Sequence, residues 1–182
     1  CGVAGDQAFF EKITIEGEVV SKPYIDITIN EMDKRGVSAR WEGTRSISID
    51  TTRSYEAKHI TIEGDATAAS YAASLACIHR GQVKFTNLGS NTRQGDYRFF
   101  EVLERLGAEV TRDQTSTLIR GPSRLTTFKS IDMQDMPDVA LTLIALAPLL
   151  NEELSISGLS SLHHKECDRL ECPADEMLEM GI

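Results

Sequence analysis

Three short runs of the sequence concentrate side chains able to hold anions or move protons. The richest is Lys165-Glu166-Cys167-Asp168-Arg169. Two cations four residues apart share a face if the run opens a helix. A helix N-terminus adds partial positive charge and free N–H groups, so such a site suits a carboxylate or a phosphate. A solvated face on which Glu166 and Asp168 pair locally with the cations fits the same pattern. The second run, Asp135-Met136-Pro137-Asp138, precedes the apolar stretch Val139 to Leu150. Proline fits a first helical turn and an aspartate there is favoured by the dipole, which is a purely structural role. A carboxylate held against so apolar a helix also suits proton transfer. The third run, Val20-Ser21-Lys22-Pro23-Tyr24, gathers a hydroxyl, a cation and a phenol in one expected turn. Ser and Pro mark loops generally, and Lys22 is positioned to pair with an anion.

His163, His164, Cys167 and Cys172 invite a zinc reading, but their spacing matches no standard pattern and no second ligand pair exists elsewhere. No metal is expected. The four cysteines, Cys1, Cys77, Cys167 and Cys172, read as reduced thiols in a cytoplasmic compartment, because no secretory signal accompanies them. His79 favours a helix end, and the single Trp41 reads as packing.

The chain of 182 residues is 41% hydrophobic and 26% charged, the balance of a globular protein with a real core. Its 19 Lys and Arg against 28 Asp and Glu give a net charge of −9, which argues against nucleic acid as the main partner. A local basic pocket for a small anion remains compatible with that charge. The longest apolar run, Val139 to Leu150, is broken by Thr142 and Pro148 and is too short to span a bilayer. No membrane association is expected.

The elements that must carry these runs repeat. A short β-like run, a turn, an aspartate and an amphipathic helix ending at glycine recur three times. The aspartates are Asp26, Asp96 and Asp168, spaced by 70 and 72 residues; the glycines are Gly36, Gly107 and Gly181, spaced by 71 and 74. A terminal glycine supplies the left-handed residue that turns a helix into a strand. The middle copy is predicted to run β-α-β-α-β-β: strand His59–Ile62, a helix from Asp65 to about His79 with Gly81 past its end, strand 82–86, helix Tyr97–Leu106, then strands Glu109–Arg112 and Thr117–Arg120. The first copy starts at its middle strand, Ile13–Glu16, and the third stops at Gly181-Ile182, so the chain is expected to be the middle of a longer protein.

Taken in order, Val20 to Asp26, Glu63 to Tyr71, Asn91 to Asp96, Pro137-Asp138 and Lys165 to Leu170 resemble the 5-enolpyruvylshikimate 3-phosphate synthase (3-phosphoshikimate 1-carboxyvinyltransferase) family. The resemblance covers nearly the whole chain from about Ile13 and the middle two fifths of the family's usual length. It implies an α/β (α+β) fold of repeated β-α-β-α-β-β units, with parts of two globules. Residues 1–56 would end one globule. Residues 57–182 would begin the other, with a full unit at 57–125 and a truncated one at 126–182. It also implies enolpyruvyl transfer from phosphoenolpyruvate to the 5-hydroxyl of shikimate 3-phosphate, with release of phosphate and no metal or organic cofactor. By the same resemblance Asp138 contacts the shikimate hydroxyls and moves a proton, Lys165 binds shikimate 3-phosphate, and Glu166 protonates the phosphoenolpyruvate methylene. Arg169 holds phosphoenolpyruvate, and Ser21 and Tyr24 contact the shikimate phosphate region.

The sequence departs from the family where Ser161 stands four residues before Lys165 in place of a frequent asparagine. Pro173 is expected to disturb the third unit's helix beyond its first turn. Basic residues that the family carries toward both of its ends have no counterpart here, so the chain alone is expected to show little or no turnover. Two other readings remain: enolpyruvyl transfer to a UDP-sugar, which the Ser21–Tyr24 and Lys165–Arg169 runs disfavour, and a non-catalytic substrate-binding module of the same fold. Unpaired strand edges at truncated units suggest self-association.

Overall fold

A computed structural model describes residues 11–182, which form two compact units, one ending at Ile62 and the other running from Glu63. The first unit contains strand β1 (Lys12–Thr14), helix α1 (Lys22–Lys34) and strands β2 (Ala39–Glu42) and β3 (Ser46–Ile49). The sheet is antiparallel in the order β1-β3-β2. Helix α1 begins after Ser21, whose φ of 53° is left-handed, and Pro23 occupies its first turn, where a missing N–H costs nothing. The helix ends as the sequence predicts, on Gly36 at φ 92°, with Val37 N–H returning to the Met32 carbonyl. Met32, Val37, Ala39, Ile47 and Ile49 form the core of this unit.

In the second unit α2 (Ala66–Ile78) leads to β4 (Gln82–Phe85). A 3₁₀ turn (Gly95–Arg98) runs into α3 (Phe99–Arg105), and β5 (Glu109–Arg112) and β6 (Thr117–Arg120) follow. The order β4-β6-β5 repeats that of the first unit. Asp65 caps α2, its carboxylate accepting from the N–H groups of Thr67 and Ala68 at 2.8 and 3.2 Å. The alanine-rich face of α2 lets the helix lie close to the sheet: Ala66 and Ala73 are fully buried. Two parallel strands follow, β7 (Ser130–Asp132) and β8 (Ser155–Ser157), connected through α4 (Ala140–Leu146). The chain closes with a 3₁₀ turn (Ser160–His164) and α5 (Glu171–Glu179). One continuous core runs through this unit from Ala66 to Leu162 and includes Phe99, Phe100, Leu103, Ile119, Met133 and Leu143. No described helix is long and apolar enough to cross a membrane.

Several local expectations are corrected. His59–Ile62 forms no strand, and Ile62 is 81% exposed; no described strand hydrogen-bonds to this segment, and alternation without a ladder does not make a strand. Gly81 does lie just past the end of α2, donating to the Ala76 carbonyl, and the left-handed residue there is Arg80 at φ 56°. Val139–Leu150 is not one helix. The α4 helix is flanked by 3₁₀ turns at Pro137–Val139 and Ala147–Leu149, the second containing Pro148, whose missing N–H prevents continuation. Lys22-Pro23-Tyr24 opens α1 directly after Ser21, so Asp26 lies inside the helix instead of at its start. Lys165–Arg169 opens no helix: α5 begins only at Glu171, which moves Pro173 into its first turn, where it is tolerated.

Candidate functional site

The segment that carries the charged cluster is pinned at both ends. Leu162 is fully buried in the core, and the Arg169 N–H donates to its carbonyl at 3.1 Å, drawing the intervening residues into a closed loop. Asp168 terminates that loop. One of its carboxylate oxygens accepts from the N–H groups of Leu170 and Glu171 at 2.9 and 3.1 Å, and the other meets His163 Nδ1 at 2.7 Å. These three partners, His163 foremost, hold the Asp168 carboxyl down to about 2. The aspartate thus caps α5 and ties the loop to its own start. The signal for this was in the sequence: Asp168 and Glu171 have the spacing of a capping box.

Asp138 faces the loop from the 3₁₀ turn that opens α4. The buried hydrogen bond between Ser70 on α2 and Thr142 on α4, at 2.9 Å, helps to fix α4. One Asp138 oxygen receives both Lys165 Nζ at 3.1 Å and Arg169 Nη1 at 2.9 Å. Arg169 also grips Glu166 with two nitrogens, Nε to Oε1 at 2.8 Å and Nη2 to Oε2 at 2.9 Å. The Asp138 side chain is only 18% exposed, whereas that of Glu166 is 67% exposed. Asp138 is therefore a fixed anchor for two cations, and Glu166 is a movable partner on the solvent side. The Glu166 carboxyl lies below its ordinary range, held by its own N–H and by Arg169, while Arg169 is raised chiefly by Glu166.

Asp138, Glu166 and Arg169 line a cavity of about 600 Å³ whose wall also includes Asp65, Thr67 and Tyr71 from the start of α2. Four of the residues singled out in the sequence, Asp138, Lys165, Glu166 and Arg169, thus come together, although not through the helical spacing that suggested it. Ser21 and Tyr24 belong to the first unit, at the start of α1. There Lys22 lies 5.0 Å from the centre of the Trp41 ring, and the Trp41 indole N–H donates to Asp26 at 2.7 Å. Trp41 is thus a polar support for the Ser21–Tyr24 turn as well as packing.

Sequence reasoning missed the clasp beneath α2. The Gln94 side chain donates to the Gly64 carbonyl at 2.7 Å and accepts from the Ala66 N–H at 2.8 Å, while Thr67 hydrogen-bonds the buried Asp96. A loop glutamine and a threonine in a first helical turn carry no spacing signal for a contact across nearly thirty residues. Among the described residues no group of three or more His, Cys, Asp or Glu could hold a metal ion.

The family model for EPSP synthase (3-phosphoshikimate 1-carboxyvinyltransferase) matches residues 7–182. Curated relatives named 3-phosphoshikimate 1-carboxyvinyltransferase include those of Idiomarina loihiensis, 34% identical over 170 residues, and Cronobacter sakazakii, 37% identical over 171. Each alignment covers 93% of this chain and 39% of the relative, so the chain spans about two fifths of their length. The fold is similar to that of EPSP synthase from Acinetobacter baumannii, with a TM-score of 0.68 at 22% identity over 94% of this chain and 39% of that one. Sequence match, repeated topology and shared fold agree: the chain belongs to the EPSP synthase family.

Proposed function

We propose that this chain supplies one part of a site that transfers the enolpyruvyl group of phosphoenolpyruvate to the 5-hydroxyl of shikimate 3-phosphate, releasing phosphate. The observation that carries the reading is the shared Asp138 carboxylate, clasped by Lys165 and Arg169 on the edge of a cavity large enough for a small phosphorylated molecule. Joining a hydroxyl oxygen to the enol carbon requires loss of the hydroxyl proton and gain of a proton at the methylene carbon. In this reading Asp138 accepts the first and binds neighbouring hydroxyls. Glu166 delivers the second, and Lys165 and Arg169 neutralise phosphate and carboxylate charge.

The electrostatics give Glu166 a way to become an acid. Arg169 helps to hold it ionised. An anionic substrate that takes over the guanidinium removes that support, and the carboxyl rises toward the range where it carries a proton. By the family resemblance Ser21 and Tyr24, at the start of α1, carry hydroxyls suited to a phosphate. The left-handed backbone at Ser21 costs energy that a binding role would justify.

The test is an NMR titration of the chain with shikimate 3-phosphate and, separately, with inorganic phosphate. Shikimate 3-phosphate is expected to shift the Lys165 to Leu170 amides saturably. Asp138→Ala should weaken it about tenfold, roughly 1.4 kcal/mol, yet leave inorganic phosphate at least as tightly bound, because it removes a competing anion. Arg169→Ala should weaken both. Equal loss of both ligands on Asp138→Ala would show that the aspartate only organises the cations and recognises no hydroxyl.

A further inference from the structure

We propose that Cys167 and Cys172 are a redox-sensitive thiol pair on the cavity wall, closing reversibly to an intrachain disulfide when oxidised glutathione or another small disulfide is in excess. Both thiols are exposed and both line the cavity. Their side chains are hydrogen-bonded to one another. The backbone already holds them together: the Cys172 N–H donates at 3.1 Å to the carbonyl of Asp168, the residue after Cys167. A loop of this length, with its ends in contact before reaction, has little entropy left to lose on closure. The proposal requires no particular ligand in the cavity.

The surroundings assign the two thiols different parts. Cys167 lies beside the Arg169 guanidinium, in a loop that also carries Lys165. Cys172 is pushed up by the hydrogen bond to Cys167, by burial and by Asp168 and Asp175, so it is held as the thiol. The Cys167 thiolate attacks one sulfur of glutathione disulfide, forming a mixed disulfide and expelling one glutathione thiolate. Cys172 then gives up its proton and attacks the Cys167 sulfur, forming the internal bond and expelling the second glutathione. Two protein thiols are oxidised and one disulfide is reduced to two thiols. The remaining described cysteine, Cys77, is an internal control: it is buried within α2, and burial pushes its thiol up to about 11.

The experiment uses the full chain carrying Cys1→Ser, because Cys1 lies outside the described residues. After incubation with glutathione disulfide, free thiols are alkylated under native conditions and the protein is digested with trypsin. Cleavage after Lys165 and Arg169 separates Cys167, in residues 166–169, from Cys172, in residues 170–182. The expected result is loss of both exposed thiols together, a cross-linked pair of these two peptides from monomeric protein, and full recovery with dithiothreitol. In Cys172→Ser, Cys167 should instead retain one glutathione. Separate glutathione adducts on the two cysteines, a link only between chains, or unreacted thiols would each overturn the proposal. An unmodified Cys167 in Cys172→Ser would overturn its assignment as the attacking thiol. None of these readouts depends on shikimate 3-phosphate binding, so this proposal and the functional one fail separately.

Discussion

The segments β1-α1-β2-β3 and β4-α3-β5-β6 are two copies of one module, and among the described residues a further helix, α2, lies on the sheet of the second. Their equivalence is detailed. Both helices end on a left-handed glycine, Gly36 at 92° and Gly107 at 101°. In both, the carbonyl just before that glycine accepts an N–H from a returning strand-like segment, Glu56 to Arg35 at 2.8 Å and Thr126 to Leu106 at 2.9 Å. The buried strand pairs also correspond, Ile47 and Ile49 with Thr117 and Ile119. The second module has α2 packed against β4 and β6, and its sheet merges into a large core. Within the first unit, Ile13, Ile25, Ile29, Met32 and Ile47 line an apolar groove of about 210 Å³ beside a much smaller core. In the second module α2 adds Ala66, Ala69, Ala73 and Cys77 to the core beside the sheet. The same helix also brings Asp65, Thr67 and Tyr71 to the cavity.

The sharpest way to break the comparison is at the turn after the last strand. Gly121 follows the last strand of the second module, and Thr51 lies in the turn after the last strand of the first. A Cβ on Gly121 would come within 2.8 Å of the Cys77 Cα and closer still to the Ala76 carbonyl, both backbone atoms of α2 that cannot swing aside. Gly121→Ala should therefore cost about 3 kcal/mol or more in urea unfolding, whereas Thr51→Ala should stay within about 0.5 kcal/mol. Similar costs at the two positions would mean that α2 does not press on the sheet as described. The next effect lies on the helices, where Phe100 and Ile29 are equivalent, each seven residues before its glycine. Phe100 is fully buried, stacked on Phe85 at 5.6 Å and edge-on to Tyr97 at 5.0 Å. Phe100→Ala should cost about 3–5 kcal/mol. Ile29, only partly buried against the smaller core, should cost about 1–2 kcal/mol on truncation. Thermal or urea unfolding of the two variants measures both.

The same contrast explains what could be read from the sequence. Strands Glu109–Arg112 and Thr117–Arg120 and the Asp65 cap were legible because their signals are local: alternation, turn residues and a capping side chain. The closing glycines were legible because only a left-handed residue makes that turn. His59–Ile62 failed because a strand exists only through a partner, and alternation alone does not supply one. The site was legible in its residues and not in its geometry. Lys165 and Arg169 do face the same group, but through a loop closed by buried Leu162 and onto an aspartate some thirty residues earlier, which helical spacing does not predict. The shift of α5 to Glu171 follows from Asp168 spending its carboxylate on the Leu170 and Glu171 N–H groups, a choice visible only when the capping-box spacing is weighed against the charge pattern.

The smallest effect expected separates the two aspartate caps of the second unit. Asp65 caps α2 with its own helix N–H groups, and Asp168 does so for α5 while also holding His163. Because folding depresses the Asp168 carboxyl to about 2, the ionised form is favoured in the native state. Its contribution is fully present above the ordinary carboxylate range near 4 and is lost as pH falls through about 2. Over that window the Leu170 and Glu171 amides should move as their acceptor is protonated, and α5 should fray before α2, whose alanine face stays locked in the core. An Asp168→Asn variant keeps an oxygen for the cap, so its Leu170 and Glu171 amides should lose most of the acid transition while α5 persists at neutral pH. Amide shifts between pH 5 and 2 decide the matter. Simultaneous melting of both helices in both proteins would mean that α5 is stabilised by general packing and not by this one carboxylate, and the loop that presents Glu166 and Arg169 would then owe its shape to Leu162 alone.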